Sequence, residues 1–103
     1  MLNDLVVVGM GGLGRQVAEI ACASHDGGTS WRVLGYVDDR EPDGPSPDGL
    51  KRLGSIDWLL SQSGLSVVIG VGSPAARWRI LRRVSAVAEL SLATLVHPAT
   101  NVG

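Results

Sequence analysis

The sequence lacks the features that mark a disulfide-stapled, metal-holding, membrane-spanning or exported protein. A single cysteine, Cys22, leaves no intrachain disulfide to form, and no CxxC pair or His/Cys cluster offers a metal cage. Cys22 reads as helix filler. Apolar runs such as Val6 to Val8 and Val67 to Val71 fall far short of the ~20 residues that cross a bilayer, so no membrane segment is expected. No basic, apolar, small-residue leader opens the chain, which makes the cytoplasm the default location. Charge excess is missing too. Nine basic residues against ten acidic ones give a formal charge of −1, which argues against nucleic acid as a partner. What is present, 103 residues of which 45% are hydrophobic, suits one small globular domain with an adequate core.

Four short segments rich in branched apolar residues are the strand candidates: Leu5 to Val8, Trp31 to Val37, Ser66 to Val71 and Leu92 to Val96. Val6, Val7 and Val8 do not alternate with polar residues, so the first strand should be covered on both faces and lie centrally in a parallel sheet. Between the first two strands, Leu13, Val17, Ile20, Ala21 and Ser24 form one helical stripe, opposite Arg15, Gln16 and Glu19, and Gly27 with Gly28 ends the helix. The stretch EPDGPSPDG, residues 41 to 49, reads as a surface loop. Ser55 then caps a short helix through Ile56, Leu59 and Leu60, with Gly64 as its stop.

Ser73 as N-cap and Pro74 at the first helical position start a third helix that should run to about Glu89. Its inward stripe is Ile80, Leu81, Val84, Val87 and Ala88, with Arg79, Arg82 and Arg83 on the solvated side. Trp31, Trp58 and Trp78 read as core or edge packing. Alternating strands and helices predict right-handed βαβ crossovers in a small Rossmann-like, three-layer α/β domain with a four-stranded parallel sheet spanning residues 1–103. There is no internal repeat and no dividing linker.

In such a sheet the C-terminal strand ends share one edge, where ligands bind. Four features fall there: the turn Gly9 to Gly14, the pair Asp38 and Asp39, the turn Gly70 to Ser73, and His97 with Pro98. Gly9, Gly11 and Gly14 match GxGxxG directly after a strand and at the opening of a helix. Gly9 lets the chain turn, Gly11 lets a pyrophosphate approach the backbone, and Gly14 lets the helix pack closely. The free N–H groups and the helix dipole favour an anion. The same turn also serves simply for tight βα packing. Asp38 and Asp39 sit where dinucleotide enzymes place an acid on ribose hydroxyls, but aspartates also cap loops. Arg77 shares the angular position of Ile80 and Val84, where it can pair with an aspartate or contact a phosphate. His25 reads as a surface or capping residue. Neither it nor His97 has a serine or cysteine partner at a suggestive spacing, so a catalytic triad is not supported.

Taken together, VVVGMGGLGRQVAEIA, VLGYVDD, LGSIDWL, VVIGVGSPAARWRIL and LVHPATNVG resemble the N-terminal domain of bacterial sugar acyltransferases of the sialic acid O-acetyltransferase and UDP-amino-sugar N-acetyltransferase (PglD) type. The resemblance covers essentially the whole chain. It implies a Rossmann-type unit whose ligand is the nucleotide part of a UDP-sugar. By position, Gly11, Gly12 and Leu13, with Gly14 closing the motif, match residues at the phosphates and sugar. Asp38 and Asp39 match the pair at the uridine. Gly72, Ser73 and Ala75 match the second glycine turn. Leu13 stands where members commonly carry histidine, and Met10 where a smaller residue is common, so the resemblance leaves the sugar open.

In that family a segment like HPATNVG leads into a left-handed β-helix that carries the catalytic histidine and the acetyl-CoA site and forms homotrimers. The sequence ends at Gly103, so the resemblance implies that these residues bind substrate, hold no cofactor of their own and do not catalyse the transfer. Two other readings stay open: an NAD(P)-binding part of an oxidoreductase, and a non-enzymatic regulatory module.

Overall fold

A computed structural model describes residues 2–23, 30–41 and 49–93. Ser24, His25, Gly27, Gly28, Val96, His97, Pro98 and positions 42–48 of the expected loop lie outside these residues. The elements run β1 (Leu2–Val8), α1 (Gly12–Ala23), β2 (Ser30–Val37), β3 (Arg52–Gly54), α2 (Ile56–Leu60), β4 (Leu65–Ile69), α3 (Pro74–Ser85) and β5 (Leu90–Leu92). All pairings are parallel, in the order β3-β2-β1-β4-β5.

Among the described residues, five strands replace the expected four. The missed strand, β3, has only three residues and shows no periodicity of its own. It exists because β2 pairs with it through Tyr36↔Arg52 and Val37↔Gly54. β5 begins at Leu90, two residues earlier than Leu92.

The unbroken valine run of β1 does mark a central strand covered on both sides. Val6 and Val8 face one cluster, packed with Ile56 and Leu59 of α2 and Ile80 and Val84 of α3. Leu5 and Val7 face the other, with Ala18 and Ala21 of α1 and Tyr36 of β2. Successive residues of a strand point to opposite faces, so every residue of a doubly covered strand must be apolar. Leu5, Val6, Val7, Leu59, Val67 and Val84 are wholly buried, each worth roughly 1.5–3 kcal/mol relative to exposure. Among the described residues no buried side-chain polar atom lacks a partner, and no helix is long and apolar enough to cross a membrane.

The helices depart from the expected stripes where they pass beyond the sheet. In α1, Ala18 and Ala21 are buried and Val17 and Ile20 half-buried, but Leu13 is 41% exposed. In α3, Ile80 and Val84 are buried and Leu81 half-buried, while Arg77 is exposed rather than inward. Both exceptions lie in a first turn, at the rim of the sheet, where no strand lies beneath to cover them. α3 ends at Ser85, with Ala86 as C-cap, short of Glu89, which leaves Ala88 exposed. Trp31 and Trp58 pack against the two clusters as expected, but Trp78 is 60% exposed on the outer face of α3. The Ser55 hydroxyl accepts from Trp58 N–H and starts α2, which stops at Leu60, ahead of Gly64.

Candidate functional site

β2 lies on one side of β1 and β4 on the other, so the chain leaves the central strand in both directions. The turns after β1 and β4 therefore diverge and open a crevice at the C-terminal edge. A cleft of about 570 Å³ occupies that place. Its lining comes from three turns: Gly9, Gly11, Gly12 and Leu13 after β1; Asp38, Asp39 and Arg40 after β2; and Gly70, Val71 and Gly72 after β4. Val8, Val37, Ile56 and Ile80 complete its apolar part.

Three glycines make the geometry possible by letting backbones touch. Gly9 has φ +107°, and a Cβ there would stand 2.7 Å from the Gly70 carbonyl oxygen. A Cβ on Gly14 would lie 1.9 Å from the Gly9 carbonyl oxygen, and one on Gly70 2.6 Å from Gly14 Cα. The first and second glycine turns thus mesh, which draws the start of α1 against the ends of β1 and β4. Gly11 and Gly12 differ: nothing lies within 4 Å of a Cβ at either position, so they face open space in the cleft.

The amides of this turn divide in the same way. Gly9 N–H donates to the Val37 carbonyl at 2.8 Å, and Met10 N–H to Asp38 Oδ2 at 3.1 Å. Among the described residues, no protein group accepts from the N–H groups of Gly11, Gly12, Leu13 or Gly14. The first turn of α1 carries no acidic side chain. These are the orphan donors and the positive dipole end of a helix, left uncompensated beside a cleft.

The acids are held by the fold. Asp38 Oδ1 accepts from Arg40 N–H at 3.0 Å, and the Asp38 carbonyl accepts from Arg52 Nε at 2.9 Å. Arg40 Nε lies 3.9 Å from Asp38 Oδ1, its side chain 86% exposed. Asp39 Oδ1 accepts from Ile56 N–H at 2.9 Å, fixing the start of α2. Arg40 thus stands by the Asp38 carboxylate, Arg52 holds the Asp38 carbonyl, and the Asp39 carboxylate is held by a main-chain N–H.

Of the residues singled out from the sequence, Gly11, Gly12, Leu13, Asp38, Asp39 and Gly72 are brought together on the cleft wall. Gly14 is buried beneath the turn and packs against backbone. Ser73 is spent on its own helix, its hydroxyl accepting from Ala76 N–H, and neither it nor Ala75 is among the lining residues. Arg77 is also away from the lining, and among the described residues no carboxylate pairs with it. Sequence reasoning passed over Arg40 and Arg52. Arg40 could have been found, since it follows the acid pair at a strand end. Arg52 could not, because its position depends on the unseen β3. The described residues hold no cluster of three or more metal-ligating side chains.

Residues 4–84 match the PglD N-terminal domain. Two solved structures are similar over nearly the whole chain. The acetyltransferase domain of PglB from Neisseria gonorrhoeae FA1090 is 32% identical, with a TM-score of 0.75 over 93% of this chain and 45% of that one. The same domain in complex with acetyl coenzyme A is 31% identical, with a TM-score of 0.76 over 95% of this chain and 45% of that one. This chain therefore spans less than half the length of those proteins. Comparison with curated protein sequences finds no significant match. With the glycine turn, the acid pair and strands β2, β3 and β4 all inside the matched segment, the chain belongs to the PglD N-terminal domain family.

Proposed function

We propose that the cleft binds the nucleotide part of a UDP-sugar and that the chain is the substrate-binding domain of an acetyl-CoA-dependent sugar O- or N-acyltransferase. One observation carries this reading: the unpartnered amides of Gly11, Gly12 and Leu13 belong to residues that line the same cleft as the turn after β2 and Gly72. A diphosphate suits the amides, since each N–H can donate a charge-assisted bond and the helix dipole adds to it. The apolar wall of Val37, Ile56 and Ile80 offers cover for a flat base. The similarity to an acetyltransferase domain, one form of which holds acetyl coenzyme A, supports the group to be transferred.

In the complete enzyme, a histidine outside these residues would deprotonate the sugar amine or hydroxyl for attack on the thioester. The part of this domain is to hold the acceptor sugar by its nucleotide handle. Fixing one reactant in geometry replaces a bimolecular encounter with an intramolecular step, an effect that reaches about 7–11 kcal/mol in well-oriented systems. In a protein of the length of the similar acetyltransferase structures, a further domain would bind acetyl-CoA and make the contacts of a homotrimer, in the cytoplasm where nucleotide sugars are used.

Titration calorimetry with UDP and with NAD tests the reading. UDP is expected to bind the more tightly and to raise the melting temperature. Tighter binding of NAD would assign the cleft to a nicotinamide cofactor, and no response to either would leave a regulatory module.

A further inference from the structure

Asp38 is tied to the glycine turn as well as to its own. Its Oδ2 accepts from Met10 N–H at 3.1 Å, its Oδ1 from Arg40 N–H at 3.0 Å, and its carbonyl oxygen from Arg52 Nε at 2.9 Å. The side chain is only 16% exposed. Gly9 N–H donates to the carbonyl of Val37, the neighbour of Asp38. The first two amides of the glycine turn are thus anchored to the end of β2, one by main chain and one by the Asp38 carboxylate. The next four are free of protein acceptors among the described residues.

This division decides what the turn can do. A glycine-rich loop has many conformations, and most of them do not aim successive amides at one point. Anchoring Gly9 and Met10 fixes the direction in which the chain enters α1. A carboxylate suits the task because both its oxygens accept. Asparagine has one accepting oxygen, and its NH₂ would confront a main-chain N–H.

We propose that Asp38 is a positioning residue for phosphate binding: acting through the Met10 amide, it holds the glycine turn so that the amides of Gly11, Gly12 and Leu13 converge on the diphosphate, instead of reading the nucleoside itself. The ligand half of the inference rests on the nucleotide reading above. Asp39 is the internal comparison. It belongs to the same acid pair and the same cleft, but its carboxylate accepts from Ile56 N–H and anchors α2, not the glycine turn.

The anchor is tested first without ligand or mutation. A through-hydrogen-bond scalar coupling between the Met10 amide nitrogen and the Asp38 side-chain carboxyl carbon is expected in the wild-type protein, and its absence overturns the proposal. Asp38→Asn, checked by melting, should then speed exchange of the Met10 amide proton about tenfold while leaving core amides such as Val84 protected. NMR titrations complete the test. Asp38→Asn is expected to weaken UDP about tenfold and uridine less than twofold, and Asp39→Asn to leave the uridine-to-UDP affinity ratio unchanged. Equal loss of uridine and UDP in Asp38→Asn would show direct contact with the nucleoside and overturn the proposal. Failure of the wild type to bind either compound would remove the nucleotide reading and the ligand half with it, while the scalar coupling still decides whether the anchor exists.

Discussion

Two helices start at the same edge of the same sheet, and they start differently. α3 closes its own N-terminus: Ser73 Oγ accepts from Ala76 N–H at 3.4 Å, and Pro74 brings no N–H to satisfy. α1 opens on Gly11 and Gly12 with no capping side chain and no acid in its first turn. A helix start that satisfies itself has little left to offer a ligand. One that leaves its donors bare beside a cleft keeps them available to an anion, and the meshing of Gly9, Gly14 and Gly70 is what brings it there.

The largest effect expected from breaking this contrast comes from the mesh. Gly14→Ala places a methyl 1.9 Å from the Gly9 carbonyl oxygen, backbone that cannot move aside without shifting α1. A loss of about 3 kcal/mol, read by denaturant unfolding, and loss of UDP binding are expected. An unchanged midpoint would mean that α1 does not sit against β1 as described.

Next comes an acid in each first turn. Gly12→Asp meets no steric obstacle, so the protein should fold normally, yet UDP affinity should fall at least tenfold because the new carboxylate repels the diphosphate and takes its donors. Ala75→Asp puts the same charge at the start of α3. There a gain of about 0.5 kcal/mol in stability and little change in affinity are expected. Calorimetry on the two variants checks the pair, and equal losses of affinity would erase the distinction between the helices.

Smaller still is the cap. Ser73→Ala should destabilise by about 0.5–1 kcal/mol in a thermal melt, with UDP affinity retained. The smallest effect lies at the opposite end of the sheet, where Asp4 and Arg32 pair across β1 and β2 at 2.6 Å. The hydrogen bond from Arg32 holds the Asp4 carboxyl below its usual value. Its folded value is depressed, so the contribution is present above pH ~4 and is lost as the pH falls through the folded value. Asp4→Asn should therefore differ slightly from wild type at neutral pH and not at all in strong acid. Added salt should narrow the neutral difference, since both groups are exposed.

How far the sequence could be read depends on how local each feature is. β1, β2, β4, both helix caps and the acid pair were legible because each is written in a run of neighbouring residues: three valines, a Ser-Pro start, two aspartates after a strand. β3 was not, since Arg52, Leu53 and Gly54 become a strand only through pairing with Tyr36 and Val37. Leu13 and Arg77 were misplaced for a shared reason. Helical periodicity gives the direction a side chain faces but not whether a sheet lies there, and both residues overhang the rim. The cleft was half legible. Its glycines and aspartates could be named from the sequence, whereas the roles of Met10, Arg40 and Arg52 appear only when three turns meet.

The sequence by itself determined the parallel α/β class, the centrality of β1 and the glycine turn, because apolar runs, caps and glycine spacing act over a few residues along the chain. Tertiary structure alone decided which amides stay free and what each aspartate holds. Those outcomes depend on hydrogen bonds between turns 17 to 28 residues apart, whose partners are chosen by the order of strands in the sheet.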